Sequence, residues 1–300
     1  MAKQIETLIE DIYALFGSGI DFDQEIAKYF GDQMQKMVQQ RVTKQQSDGH
    51  LRMSNVGTPC ERKLWYTCNK PYTEAEQLEK NVLMKFLYGD IIEELILYLA
   101  AEAGHKVEGL QDELVIEGIV GHRDAVIDGV LIDVKSCSSQ TFSKFRNHLT
   151  PDNDSFGYLD QLQLYLWASQ SDPVVTNKDV AGFLAVDKVL GYLCLDLHPR
   201  TGKDYSEVIN RKKAMISGET PPRGFHPEPD NKSGNMKLGT FCGYCEWKKV
   251  CHPGLRAFAY AAAPRFFTEV VKTPTNKDGP IREIMLLQFR QSRPRISPVM

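Results

Sequence analysis

The chain has 300 residues, of which 42% are hydrophobic and 25% charged, with a formal net charge of −3 and a pI near 6.2. That supplies a core for one large domain or two small ones, contains no apolar run of membrane-spanning length, and excludes a protein that blankets nucleic acid with positive charge. The seven cysteines are odd in number, and with no signal peptide recognised they argue against a secreted disulfide framework.

Residues 1–46 read as an N-terminal helical segment, with helices over Lys3–Phe16 and Asp21–Val42 and no chemistry of their own. From about Ala75 to Ala103, apolar positions recur at three- and four-residue spacing and predict an amphipathic helix. Gly89 inside it costs roughly 1 kcal/mol against alanine. A glycine retained there implies close approach of another backbone or a ligand. Glu93 and the neighbouring Glu94 follow one turn later.

From His105 to Ser136 the pattern alternates and predicts three strands. Within it, Asp128-Gly129 is flanked by apolar residues on both sides, the signature of a two-residue hairpin turn. Counting outward from that turn, Ile127 faces Val130, Asp124 faces Asp133 and His122 faces Lys135. Opposed carboxylates repel, and a divalent cation between them removes the conflict. Lys135 projects from the same strand face as Asp133. Two acids and a lysine on one face are equipped for metal-dependent phosphodiester hydrolysis. A solvated hairpin with ordinary surface charges is the plain alternative. Arg52, Arg62, Lys63, Arg123, Lys144 and Arg146 surround the site in sequence.

Helices are expected near Gln140–His148 and Phe156–Ser169, and Gln161 and Tyr165 share a face of the second. Strands follow over Val180–Asp187 and Gly191–Leu197, then a helix over Tyr205–Ser217 and a Pro-, Gly- and Asn-rich loop from Pro221 to Gly239. Cys242, Cys245 and Cys251 form a C-x2-C-x5-C run, a spacing that gathers thiolates around one metal centre. Such a centre needs a fourth ligand. Cys60 is the best candidate, Cys68 and His252 are rivals, and Cys137 and Cys194 read as small buried apolar residues. Residues 47–263 are taken as the main domain and 264–300 as an irregular tail, with a basic run over Gln288–Arg295.

In this order the elements resemble the PD-(D/E)xK superfamily, in its RecB-like branch with a four-cysteine iron–sulfur cluster. AddB-type helicase–nucleases, CRISPR-adaptation exonucleases and phage-encoded relatives share that layout. Asp124 stands as the lone acid, Asp133-Val134-Lys135 as the D-x-K, Gly89 to Glu93 as the Gly-x-x-x-(His/Glu) signature, and Gln161 to Tyr165 as the Gln-x-x-x-Tyr element. The likeness runs from about Gly57 to Cys251. It implies an α/β fold with a restriction-endonuclease-like core, a mixed central sheet flanked by helices. It also implies magnesium or manganese on Asp124, Asp133, the Val134 carbonyl and Glu93, with Lys135 orienting water. Gln161 and Tyr165 would support the site and face DNA. A 4Fe-4S cluster on Cys60, Cys242, Cys245 and Cys251, with zinc as the alternative, would close the domain. The implied activity is a DNA exonuclease of recombination, repair or phage DNA processing, partnered by a helicase or recombination protein in the cytoplasm of a bacterial or phage-infected cell. Since no P-loop or helicase motif is present, any motor belongs to another protein. The alternatives are a catalytically silent DNA-end-binding or assembly module on the same scaffold, and a zinc-stapled binding protein without the nuclease fold.

Overall fold

Val130–Cys137 is apolar on both faces for most of its length, so it belongs in the middle of a sheet covered on both sides. The computed structural model, which describes residues 3–43, 49–78, 80–261, 263–277 and 279–284, places it there. The chain divides by its internal contacts into two units, Met1–Tyr72 with Leu78–Pro222, and Thr73–Gln77 with Arg223–Met300.

The first unit runs α1 (Leu8–Ala14), α2 (Gln24–Thr43), α3 (Met53–Val56), α4 (Glu61–Asn69), α5 (Lys80–Glu102), β1 (Val107–Glu108), β2 (Glu113–Ile116), β3 (Ile119–His122), β4 (Ala125–Ile127), β5 (Val130–Cys137), α6 (Ser139–Arg146), α7 (Tyr158–Ala168), β6 (Val180–Asp187), β7 (Leu193–Pro199) and α8 (Tyr205–Ser217). Its central sheet has the order β1-β4-β5-β6-β7. β5 and β6 are parallel, joined by a crossover through α6 and α7, and the other neighbours are antiparallel. The result is the expected mixed central sheet flanked by helices, consistent with a restriction-endonuclease-like core.

Alternation along β5 sorts its side chains between two cores. Val130, Ile132 and Val134 pack with Ile5, Leu8 and Ile12 at the chain's start and with Ile96, Leu97 and Ala100 of α5. Leu131 faces the other way, with Phe183 of β6, Phe142 and Phe145 of α6, Leu162 and Tyr165 of α7, and Tyr205 of α8. Asp133 and Lys135 share the Leu131 face. Each large side chain so buried contributes about 1.5–3 kcal/mol.

The Asp128-Gly129 turn forms as expected, with φ of 50° and 81°. Its tip is latched: the Asp128 carboxylate accepts from the Lys106 amide at 3.0 Å and meets Nδ1 of buried His105 at 2.6 Å. The other ring nitrogen of His105 lies 3.2 Å from Asp11 of α1. Where three strands were expected between His105 and Ser136, five form. A second turn at Glu117-Gly118, with φ of 48° and 69°, folds β2 onto β3 as a separate hairpin. The carboxylate-glycine pair there works as the Asp-Gly turn does, because glycine takes the left-handed conformation without a Cβ clash.

The second unit holds β8 (Glu228–Pro229), β9 (Met236–Lys237), α9 (Thr240–Gly243), α10 (Lys248–Cys251), β10 (Arg256–Phe258), β11 (Arg265–Glu269), β12 (Thr275–Asn276), β13 (Gly279–Pro280) and β14 (Glu283–Ile284). A five-stranded sheet of order β14-β10-β11-β9-β8 buries Phe258, Phe267 and Ile281. This corrects the expectation of an irregular tail after residue 264. Strands of two to five residues are too short for alternation to register in the sequence. The basic run Gln288–Arg295 lies outside the described residues. No described helix is long and apolar enough to cross a membrane.

Candidate active site

The β4–β5 ladder pairs Ala125 with Ile132, Val126 with Leu131 and Ile127 with Val130, so Asp124 leaves β4 opposite Asp133. In place of a further ladder bond, the Val134 amide donates to Oδ2 of Asp124 at 2.8 Å. The pairing does not continue to His122 and Lys135. His122 belongs to β3 and faces Glu113, with Nε2 3.7 Å from that carboxylate.

Lys135 is ion-paired with Oδ2 of Asp133. That oxygen is buried. The Lys135 ammonium also stands 5.1 Å from the centre of the Tyr158 ring. Burial disfavours its charge, but the Asp133 and Asp124 carboxylates outweigh burial and hold it protonated well above the usual lysine range. Gln161 donates to Oδ1 of Asp133 over a long 3.4 Å. Tyr165, on the same face of α7, packs its hydroxyl where a Cβ on Gly121 would stand, 2.6 Å away. Burial, then Asp124 and Asp133, push the Tyr165 phenol up to about 12, so it stays neutral.

Glu93 comes from α5. That helix approaches β5 closely at Gly89, where a Cβ would lie 3.3 Å from the Ser136 hydroxyl, which is the close approach the glycine implied. Burial, then Asp124 and Asp133, raise the Glu93 carboxyl to about 9. Its Oε1 accepts from Gln111 at 2.6 Å. Burial and Asp133 raise Asp124 to about 7, against weaker help from Lys135 and the Val134 amide. Glu94 also lines the cleft, but its carboxyl is raised by burial and Asp90 rather than by the two aspartates.

A cleft of about 500 Å³ opens over these acids, lined by Gln33, Lys36 and Arg41 of α2 and by Asp90, Glu93, Gln111, His122 and Asp124. Arg41 grips Asp90 side-on, Nε donating to Oδ2 and Nη2 to Oδ1. The structure therefore brings Glu93, Asp124, Asp133, Lys135, Gln161 and Tyr165 into one neighbourhood. Of the basic residues near in sequence, Arg123 is buried between Asp112 and Asp172, and the Lys144 ammonium donates to the Asn153 carbonyl at 2.8 Å. Gln111, Tyr158 and Arg41 were not visible beforehand. They reach the site from a loop, a helix start and a separate helix, with no spacing to announce them.

Cys60 precedes α4 in the first unit, and Cys242, Cys245 and Cys251 lie in the second. There the Cys245 amide bonds to the Cys242 carbonyl at 3.2 Å, and the Cys251 amide to the Trp247 carbonyl at 2.8 Å. Burial pushes the Cys137 thiol up to about 11 and the Cys194 thiol to about 12, and it also raises Cys68, which disfavours the thiolate form that metals bind.

Among solved structures, the chain is similar to an alkaline exonuclease (LHK-Exo) from Laribacter hongkongensis, at 16% identity over 57% of this chain and 87% of that one, with a TM-score of 0.39. It is also similar to SSO0001, at 14% identity over 76% and 96% of the two chains, with a TM-score of 0.40. At such identities and scores neither likeness assigns a residue, a substrate or a role. No protein-family model matches the chain, and no curated protein matches it.

Proposed function

We propose that this chain is a divalent-metal-dependent DNA nuclease, acting as an exonuclease. The observation that carries this is the meeting of Glu93, Asp124 and Asp133 with Lys135 on one buried patch beside an open cleft. The residues fit a hard cation. Three acids crowd one lysine, two of them are driven toward protonation, and one oxygen of Asp133 is buried. Oxygen donors of this kind suit magnesium or manganese.

Asp124, Asp133 and Glu93 would hold the ion. The Val134 carbonyl fits as a further ligand, because N–H and C=O of one strand residue point to the same side, and the Val134 amide already points at Asp124 beyond the last β4 pair. When bound, such an ion polarises a phosphate oxygen and acidifies water. The protein's own contribution is placement. Lys135, pinned between Asp133 and the Tyr158 ring, presents its ammonium where charge develops on phosphate. Gln161 steadies Asp133. With no cation, Glu93 keeps its proton at neutral pH on Oε2, since Oε1 is engaged by Gln111. Lys36 supplies local positive charge for a DNA backbone at the cleft wall despite the acidic whole, while the charge of Arg41 is matched by Asp90.

Cys60, Cys242, Cys245 and Cys251 are proposed as ligands of a 4Fe-4S cluster, with zinc as the alternative. Their soft thiols and the C-x2-C-x5-C spacing support it. Anaerobically purified protein is then brown, and Cys60→Ala loses metal while Cys194→Ala does not. Colourless protein with stoichiometric zinc removes the iron–sulfur cluster and keeps the zinc alternative.

End-labelled single- and double-stranded DNA, linear and circular, tests the activity with magnesium or manganese. Linear DNA should be degraded and circles spared. Cleaved circles would make it an endonuclease. Uncut DNA that still binds by its ends would favour the silent module.

A further inference from the structure

A second cluster lies on the same sheet face, outside the acid site. Phe183 of β6 pairs with Asp133 of β5 on one side and with Asp196 of β7 on the other. Two strands at about 4.8 Å each put Asp196 roughly 10 Å from Asp133 along the row. Paired catalytic ions sit about 3.5–4 Å apart, so any ion held near Asp196 is separate from one at Asp133.

His148 and His198 converge on Asp196. One ligand atom from each of the three lies within 4.8 Å of the others. Nδ1 of His148 is 2.7 Å from Oδ1 of Asp196, and Nε2 of His198 is 3.0 Å from Oδ2. The imidazoles stack at 4.4 Å with 19° between planes. His198 is 6% exposed, and its Nε2 is fully enclosed yet not aligned to donate to the carboxylate beside it. The edge of Phe183 fixes that ring from the other side at 5.5 Å. Asp196 is oriented in turn by the Leu149 amide, which donates to Oδ2 at 2.9 Å, the kind of outer support that metal-binding carboxylates carry. His148 holds a φ of 65°, a conformation costly for most side chains, and so aims its ring back at β7. Its side chain is 57% exposed, leaving one side of the cluster open to solvent.

We propose that His148, Asp196 and His198 bind a zinc-class transition-metal cation, with three protein ligands and an open fourth position. Two imidazoles and one carboxylate suit such an ion and not magnesium. Ligands about 2.1 Å from a tetrahedral centre stand about 3.4 Å apart, so the contacts of 2.7 and 3.0 Å to Asp196 lengthen and the exposed His148 ring turns out of its stack to aim its lone pair at the ion. The ion ties the connection between α6 and α7 to β7, and α7 carries Gln161 and Tyr165. The site does not depend on the nuclease assignment.

Cobalt titration of the stripped full-length chain tests it, with excess magnesium to fill oxygen-only sites. Cobalt on imidazole and carboxylate gives visible d–d bands without the near-ultraviolet sulfur-to-metal absorption of a thiolate site. Wild type should take up one equivalent of the sulfur-free class, and Cys245→Ala and Asp133→Ala should retain it. His148→Asn and His198→Ala should lose it. Asn accepts the left-handed backbone, and His148 is largely at the surface, so His148→Asn keeps the fold, as its melt in chelator will show. Zinc should raise the melting temperature of wild type more than that of His148→Asn. If His148→Asn takes up the sulfur-free equivalent as wild type does, or wild type takes up none, the three residues are only a hydrogen-bonded brace and the proposal fails.

Discussion

Asp133 and Asp196 stand in one row of the central sheet with Phe183 between them, yet their neighbours differ in kind. Around Asp133 gather Asp124, Glu93 and a single lysine, and the surplus negative charge drives Asp124 and Glu93 toward protonation. Around Asp196 gather two imidazoles and a backbone amide, which hold its carboxyl below the usual range although burial opposes them. The first arrangement carries unbalanced negative charge that the proposed cation would offset. The second has directed contacts from His148 and Leu149 to Asp196 and one enclosed His198 nitrogen without an aligned partner among the described residues, which the proposed metal would engage once the His148 ring turns. Burial alone therefore does not mark a functional carboxylate. The charge left unbalanced around it does.

The sharpest way to break this contrast is to remove charge from one cluster at a time. Asp133→Ala and Lys135→Ala should each lower DNA cleavage by about 10³-fold or more, without additivity, because the groups act as a unit. His148→Asn should leave cleavage close to wild type when magnesium is supplied. Equal losses from both clusters would mean that they form one site.

A melt against pH measures that imbalance itself. Glu93 and Asp124 have folded pKa values of about 9 and about 7, above their ordinary values of 4.5 and 3.8. The folded state thus binds more protons than the unfolded one in that interval. The stability these groups contribute is present below about pH 4 and is lost as pH rises through 7 and on to 9. In chelator, the melting temperature should fall across that window. Saturating manganese should suppress the fall by linkage. Asp124→Asn, whose amide oxygen can still accept from Val134, should be neutral or stabilising in chelator and should gain much less from manganese. Full activity and a full manganese shift in Asp124→Asn would show that Asp124 and Asp133 share no ion.

The smallest effect is expected at Tyr158. A cation over an aromatic face contributes about 0.5–2 kcal/mol, so Tyr158→Leu should slow cleavage by roughly 2- to 30-fold, whereas Tyr158→Phe should change little. Steady-state rates on one labelled substrate separate the two.

The asymmetry between the clusters extends to what the sequence discloses. Asp124, Asp133 and Lys135 surround one two-residue turn, and turn chemistry fixes their facing by counting. Glu93 and Gln161 were picked out by the resemblance, through the Gly89-to-Glu93 and Gln161-to-Tyr165 spacings; helical periodicity alone would not have singled them out. His148, Asp196 and His198 come from a loop and an outer strand about fifty residues apart, and no periodicity connects them. The facing of His122 and Lys135 was misjudged because pairing passes from one hairpin to another at Arg123. Glu117-Gly118 gave the only local sign of that change. In the second unit the paired segments are so short that their partners, rather than their own sequence, determine that they are strands.

The latch at the hairpin tip makes the acid site a question of parity. Only three residue pairs separate the Asp128-Gly129 turn from Asp124, and side chains alternate faces at every step. Adding or deleting one residue at the tip turns Asp124 away from Asp133 without touching either of them. His105, buried against Asp128 and Asp11, holds the turn at its present length far from the cleft. Length variation in homologous chains should therefore be rare at this turn, which is itself packed against Thr176 and Asn177, and activity should track the residue count there more closely than the identity of any tip side chain.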